Sequence, residues 1–324
     1  MLNGYVETQL LYVAAALGLA DLLHGEPRGA DELARATGAD RDALRRVLRG
    51  LVNSGILDEG EDGRFALTEL GEPLRADAPG SLRALVLLTG AQEYRAWGEL
   101  PYTTRTGQTA FERAYGELFF ARLDHDPAIG AHFDAFMDRV SARIAAALPA
   151  AYDFSPFRSV VDVGGGRGTL LAALLAAYPR LHGTLFDRAA VLSDVPQALV
   201  TAGVTARCQV VAGDFFQAVP AGGDLYILSQ VLHDWNDARA ARILSNCRRA
   251  MGAAGTLLIV ERIMPGRVVL PEPIVTSDLH MLALTGGRER TEEEYHALLT
   301  ASGFALTRAT SLVVGWSLME GMPR

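Results

Sequence analysis

The residues best suited to chemistry gather in the second half of this 324-residue chain. Val160-Val161-Asp162-Val163-Gly164-Gly165-Gly166-Arg167-Gly168-Thr169 reads as a strand, a glycine-rich turn and the start of a helix through Ala177. Glycine suits such a turn because the backbone must bend tightly and let a ligand approach without an intervening Cβ. Ligands of open parallel sheets bind at this end of the strands. The spacing separates the candidate ligands. A nicotinamide fingerprint wants glycine at 164, 166 and 169, but Thr169 stands at the last position and the third glycine is Gly168. A Walker loop needs Gly-Lys-Ser/Thr, and the run has none. Alternating glycines behind Asp162 suit S-adenosylmethionine, which has an amino-acid tail and no pyrophosphate. Asp187 closes the next strand, where a carboxylate can accept both ribose hydroxyls, or alternatively cap a helix. Gly213-Asp214-Phe215-Phe216 closes the one after. It offers an acceptor for the adenine amino group and an aromatic wall, or alternatively a turn over core phenylalanines. Three acids at successive strand ends beside one glycine turn argue against coincidence.

A second constellation, Leu228-Ser229-Gln230-Val231-Leu232-His233-Asp234-Trp235-Asn236-Asp237, leaves the fourth strand and enters a helix predicted over Ala238 to Met251. Taken alone, His233-Asp234 also fits a plain helix-start turn capped by Asn236 or Asp237.

Positioning these residues requires a sheet. Short apolar runs at Ser159–Val163, Gly183–Phe186, Cys208–Val211, Leu225–Leu228 and Thr256–Val260 alternate with helical stretches, which predicts a mainly parallel α/β sheet. Ala305–Ala309 and Ser317–Glu320 follow with a connection too short for a helical crossover, so they should pair antiparallel. Pro149 and Ser155-Pro156 mark the expected boundary with what precedes. The stretch from 82 to 148 reads as helical and rich in aromatics. Further forward, Tyr5–Leu23 reads as one amphipathic helix with Val6, Leu10, Val13 and Leu17 on a face. Residues 30 to 70 read as a winged helix-turn-helix. A helix over Ala30–Ala36 precedes one capped by Asp40 and ended by Gly55, then a hairpin turns at Asp62-Gly63.

A winged helix raises DNA binding, which needs cations on the recognition helix and wing. Arg41, Arg45, Arg46 and Arg49 lie on the helix, but the wing carries Asp58, Glu59, Glu61 and Asp62. With 38 acidic against 30 basic residues and a formal charge of -8, bulk electrostatics also disfavour nucleic acid and anionic lipid. A packing and dimerisation module is the better expectation. The length exceeds the roughly 100–200 residues of one domain and predicts two. A hydrophobic share of 49% and a charged share of 21% predict a soluble globular protein. The two cysteines, Cys208 and Cys247, lack zinc or disulfide spacing, which fits a reducing cytoplasm. Leu10–Ala20 is too short to span a bilayer, and no basic residue precedes it as in a signal peptide.

Taken in order, the winged-helix front, Val161-Asp162-Val163-Gly164-Gly165-Gly166, Gly213-Asp214-Phe215-Phe216, His233-Asp234-Trp235 and Gly286-Gly287-Arg288-Glu289-Arg290-Thr291 resemble the plant-type small-molecule O-methyltransferases. That group contains caffeic acid and hydroxyindole O-methyltransferases and many bacterial natural-product tailoring enzymes. The resemblance implies a Rossmann-like S-adenosylmethionine methyltransferase sheet with a C-terminal antiparallel hairpin, plus an N-terminal α-helical winged-helix dimerisation domain. It divides the chain into that domain at 1–100, connecting helices lining an acceptor pocket at 101–155, and the cofactor-binding catalytic domain at 156–324. It implies a homodimer with a phenolic substrate buried between front and cofactor domains. N- or C-methylation, or a homologue of this fold that uses no base, stays open beside O-methylation.

The resemblance further implies that His233 is a general base flanked by Glu261 and Glu289, with no metal required. The residue types suit this: a phenol of pKa about 10 is mostly protonated at neutral pH, and an imidazole near 6.5 can take its proton as the oxygen attacks. Asp162, Gly164, Gly166, Asp187, Asp214, Phe215 and Ser229 are the implied cofactor contacts. Ser229 and Arg188 stand where plant members carry Lys and Leu. Trp97, Met137, Asp234, Asp278 and Met281 are the candidate acceptor contacts.

Overall fold

The computed structural model describes residues 2–192, 196–269, 272–312 and 315–324. It divides into two compact units, one of residues 1–98 and 126–136, the other of 99–125 and 137–324.

In the first unit the opening segment forms two helices, Gly4–Ala16 and Leu19–Leu22, rather than the single predicted helix. The break falls at Gly18, whose φ of 63° is left-handed and open to glycine without strain. The first helix is also apolar on more than one side: Leu10, Leu11, Tyr12 and Val13 are all half-buried, while Ala14 and Ala15 are buried. The winged helix-turn-helix forms as read. Helix Ala30–Thr37 is followed by helix Arg41–Asn53, whose Asp40 cap accepts from the Ala43 N–H at 2.9 Å. Strands β1 (Arg28–Gly29), β2 (Leu57–Glu59) and β3 (Arg64–Leu67) form an antiparallel sheet in the order β1-β3-β2. The two-residue β1 carries too little pattern to be found in sequence. Leu33, Leu44, Leu48, Leu51 and Phe65 form the core beneath it. Two of the four helix arginines engage nearby acids, Arg41 with Asp31 at 2.5 Å and Arg49 with the wing residue Glu59 at 4.0 Å.

The second unit carries a seven-stranded sheet among the described residues, in the order β6-β5-β4-β7-β8-β10-β9. Its strands are β4 (Ser159–Val163), β5 (His182–Asp187), β6 (Cys208–Ala212), β7 (Leu225–Ser229), β8 (Thr256–Glu261), β9 (Phe304–Ser311) and β10 (Ser317–Pro323). Strands β4 to β8 pair in parallel and β10 runs antiparallel to β9, as expected, and β10 also pairs antiparallel with β8. Strands β4, β7 and β8 are buried almost throughout, which explains their unbroken apolar runs: helices cover both faces. One face packs on Leu170, Leu171, Leu174 and Leu175 of helix Thr169–Ala177. The other packs on Ile243, Leu244 and Cys247 of helix Asp237–Ala250, one residue earlier than predicted, with Tyr295, Leu298 and Leu299 of helix Glu292–Ala301. Pro149 does not end its helix but lies in the last turns of Pro127–Ala151. From β4 the chain winds outward to β5 and β6, then returns to β7, so the order reverses between β4 and β7. A crevice at the carboxyl ends of strands opens at such a switch point. No helix among the described residues is long and apolar enough to cross a membrane.

Candidate active site

Four strands end at this crevice with polar residues. After β4, Gly164, Gly166 and Gly168 hold left-handed φ values of 73°, 58° and 78°. A Cβ on Gly164 would lie 2.8 Å from Val231 Cγ2 and 3.6 Å from the Phe215 ring. Only glycine therefore lets the turn pass between the ends of β6 and β7. Asp187 at the end of β5 ties down the same turn, accepting from Gly166 N–H at 2.8 Å and from Arg188 N–H at 2.7 Å. Each oxygen keeps lone pairs for a further donor. After β6, exposed Asp214 accepts from Phe216 N–H at 2.8 Å and Gln217 Nε2 at 3.3 Å. Ser229 ends β7 half-buried, opposite Val260.

Asp162 is the unusual member. It is 1% exposed, and neither carboxylate oxygen has a hydrogen-bond partner among the described residues. A Cβ on Gly165 would lie 2.6 Å from this carboxylate, so the loop backbone lies directly on it. Burial, with a smaller contribution from Asp187, pushes its pKa up to about 7. An orphaned buried carboxylate beneath a glycine turn suits a cationic ligand, and S-adenosylmethionine carries a sulfonium and an ammonium group. The turn, Asp187 and Asp162 thus fit that cofactor. A measurable consequence follows from the sign of the shift. Folding raises this pKa, so the folded chain holds the extra proton between about pH 4 and 7, and stability falls as pH rises through that window. Three pH units correspond to about 4 kcal/mol. Asp162→Asn should therefore stabilise the ligand-free protein by about 2–4 kcal/mol at pH 8 and by little at pH 4. Urea unfolding at the two pH values measures it, and equal effects at both would refute the assignment.

The His233 cluster is built from three elements. A short 3-10 turn, Leu232–Asp234, follows β7 and carries the imidazole, which is 8% exposed. It is preceded by Gln230 at φ 57°, the one non-glycine with a left-handed backbone among the described residues. Such strain gathers at functional sites. Glu289 Oε1 lies 3.2 Å from His233 Nδ1 and 2.6 Å from the Ser277 hydroxyl, which donates to it. Glu261, at the end of β8, acts differently. Its Oε1 accepts from the N–H groups of Val231 at 2.9 Å, Leu232 at 2.8 Å and His233 at 3.4 Å, while its Oε2 stands 3.8 Å from Nδ1. Glu289 holds the ring and Glu261 holds the backbone that carries it. The other imidazole nitrogen, Nε2, has Asp234 Oδ1 at 3.9 Å, beyond hydrogen-bond distance. Burial opposes charge on His233, but Glu261, Asp234 and Glu289 outweigh it and push its pKa up to about 10. Burial likewise pushes Asp234 up to about 7, against the pull of His233. Burial would raise Glu289 too, but His233 and Ser277 hold it below the ordinary carboxylate value. Ligand atoms of His233, Glu261 and Glu289 lie within 4.8 Å of one another, close enough to share a cation. Their hydrogen bonds to Ser277 and to the backbone already occupy much of that capacity.

Of the candidate acceptor contacts, Asp278 is engaged with Glu289, whose N–H it accepts at 2.9 Å. It lies with half-buried Met281 on helix Pro273–Leu284. Met137 is half-buried on Pro127–Ala151, and Trp97 is half-buried at the end of Tyr94–Trp97 in the first unit. An aromatic wall stands beside the His233 turn. Trp235 stacks on Phe120 at 5.5 Å and meets Phe216 edge-on at 4.7 Å. Arg188 reaches the same wall, donating to the Phe120 carbonyl at 3.2 Å and pairing with Asp124. Sequence reasoning did not single out Ser277, Gln230 or Arg290. Ser277 and Gln230 bear no local signal, and Arg290 stands in the Gly286–Thr291 run with nothing in the sequence to give it a role.

Comparison with known proteins accords with this geometry. Residues 97–305 match the O-methyltransferase domain family, and residues 1–76 match the O-methyltransferase dimerisation domain. Phenazine O-methyltransferase PhzM of Lysobacter antibioticus is 45% identical over 100% of this chain and 94% of its own length. Phenazine-1-carboxylate N-methyltransferase of Pseudomonas aeruginosa is 35% identical over 96% of this chain and 92% of its own. The crystal structure of the O-methyltransferase NcsB1, from neocarzinostatin biosynthesis, superposes with a TM-score of 0.89 at 36% identity. That match covers 98% of this chain and 96% of NcsB1, which holds S-adenosylmethionine and 2-hydroxy-5-methyl naphthoic acid. With the glycine turn, the acids at the strand ends and the winged-helix front in place, the chain belongs to the O-methyltransferase family, enzymes that use S-adenosylmethionine and carry a dimerisation domain ahead of the catalytic one.

Proposed function

We propose that the chain methylates a phenolic hydroxyl of an aromatic natural product, with His233 as general base. The observation that carries this reading is the buried imidazole, bonded through Nδ1 to Glu289, with no hydrogen-bond partner for Nε2 among the described residues. S-adenosylmethionine, when bound, supplies an electrophilic methyl group on a sulfonium centre. Asp187 would accept the ribose hydroxyls, Asp214 the adenine amino group, and Phe215 would form a wall beside the ring. Gly164 and Gly166 would let the backbone approach the donor's amino-acid tail, Asp162 would supply negative charge to it, and Ser229 would complete the contacts. His233 Nε2 takes the hydroxyl proton as the oxygen attacks, and Glu289 stabilises the imidazolium that results. Met281 and Asp234 contact the acceptor. Asp278 serves through Glu289, whose backbone it holds.

The N-methyltransferase relative makes methylation of an aromatic nitrogen the second reading. Methyl-labelled cofactor incubated with matched phenols and arylamines decides between them by mass spectrometry. Label on phenols is the expected result, and label confined to nitrogen would overturn the reading. The enzyme so proposed is a homodimer acting in the cytoplasm, with neither nucleic acid nor membrane as partner. Light scattering should return twice 34.7 kDa, and a monomer mass would count against the dimer.

A further inference from the structure

We propose that Arg290 is a positioning residue for methyl transfer, its guanidinium fixing the 232–235 turn and, through it, the His233 imidazole. The inference rests on the base role proposed for His233. Arg290 has no exposed surface. Its Nη1 donates to the Leu232 carbonyl at 2.9 Å, its Nη2 to the Trp235 carbonyl at 2.7 Å, and its Nε to Asp237 Oδ1 at 2.9 Å. The two carbonyls bracket His233 and Asp234. The His233 carbonyl between them accepts from Arg288 N–H at 2.8 Å. Gly287 lies flush on the turn, since a Cβ there would stand 2.0 Å from that same carbonyl oxygen.

The turn is therefore gripped from two sides. The Leu232 and His233 N–H groups end on Glu261, and the Leu232, His233 and Trp235 carbonyls end on the 287–290 segment. Arginine suits the second task because a planar fork with several fixed donors can span two carbonyls and a carboxylate at once. Stability alone explains the residue poorly. A buried cation is costly to desolvate, and an apolar side chain of similar volume often serves the fold as well. Asp237, the anionic partner, has 61% of its side chain exposed, so the pair is not a closed buried ion pair. What the fork gains is a fixed place for the ring, and small misplacement of a reacting group costs on the order of 10²-fold in rate.

Arg290→Lys keeps the charge and loses the fork, which separates geometry from electrostatics. The expected result is a fall in kcat of about 30- to 100-fold. S-adenosylhomocysteine affinity by calorimetry and acceptor KM should both hold within about threefold. The pH midpoint of kcat/KM should stay in place, because positioning rather than charge is lost. The decisive measurement is the double-mutant cycle with His233→Ala. If Arg290 acts through the imidazole, Arg290→Lys costs little once the imidazole is gone. Equal falls in both backgrounds would overturn the proposal, as would unchanged kcat in the single variant. Unchanged turnover in His233→Ala itself would instead sink the base reading. Should Arg290→Lys not fold, Asp237→Ala loosens the fork from its solvent side, with an expected fall of about 3- to 10-fold. That fall must likewise vanish in the His233→Ala background, and its persistence would overturn the proposal.

Discussion

Turnover by His233→Ala falls about 10²- to 10⁴-fold while affinity for S-adenosylhomocysteine is kept. The affinity should hold because the turn and acids proposed to hold the donor, at Gly164, Asp187 and Asp214, stand at the ends of other strands. The pH dependence sharpens the test. Three carboxylates raise His233 to about 10, so the imidazole carries its proton at neutral pH and frees it only as pH climbs. Base-dependent kcat/KM should therefore rise about tenfold per pH unit from 7 toward 9, rather than level off near the ordinary histidine value. A base of that strength also matches a phenol of pKa about 10, so proton transfer between them is close to balanced. Glu289→Gln removes one of the raising carboxylates and keeps a hydrogen-bond acceptor at Nδ1. Its limb should shift toward lower pH with a reduced plateau. Stopped assays across pH 6 to 10 with wild type, His233→Ala and Glu289→Gln read all three effects. A limb that Glu289→Gln leaves in place would show that the imidazole is not the titrating group.

Stability carries the same signature. A raised histidine pKa favours the folded state below the unfolded value, about 6.5, and that contribution is lost as pH rises through about 10. The conditions that free the base are those that weaken its cage, a conflict common at sites tuned for chemistry.

Much of this arrangement is legible in the chain because it is local. Strands β5 and β8 announce themselves as apolar runs, and each closes on a site residue directly, as Asp187 follows Phe186 and Glu261 follows Val260. Asp40 and Asp62-Gly63 signal their turns through side-chain and backbone chemistry within a few residues. What is not legible is long-range or counter to habit. The target of Glu261 is a set of backbone donors some thirty positions away, and no side-chain pattern records a backbone contact. Arg290 is buried although arginine is a surface residue by habit, and its partners are mostly carbonyls, which every residue has. Asp278 and Ser277 act through Glu289, a relation that helix Pro273–Leu284 sets by its packing rather than by spacing. The break at Gly18 was hidden because the apolar residues continue across it.

The largest effect on folding is expected at Glu261, and it distinguishes the two glutamates. Glu261→Ala orphans the buried N–H groups of Val231 and Leu232 and the weaker donor at His233. Each unsatisfied buried donor costs about 1–3 kcal/mol, so two strong losses amount to about 2–6 kcal/mol, comparable with the net stability of many domains. The variant should unfold at much lower denaturant or fail to accumulate as soluble protein. Glu261→Gln retains an amide oxygen that can accept the same N–H groups, so it should fold with a loss of about 1–2 kcal/mol. Its pH-rate limb should shift toward lower pH with a reduced plateau, because His233 loses the first of the carboxylates raising it. Glu289 is bonded to side chains at Oε1 and to no backbone donor through its carboxylate in the described contacts. Glu289→Ala should therefore cost less stability than Glu261→Ala while damaging turnover more than Glu261→Gln. Denaturant unfolding and single-turnover rates for the set measure both axes. Equal destabilisation by the two alanine variants would show that the division between holding the turn and holding the ring is wrong.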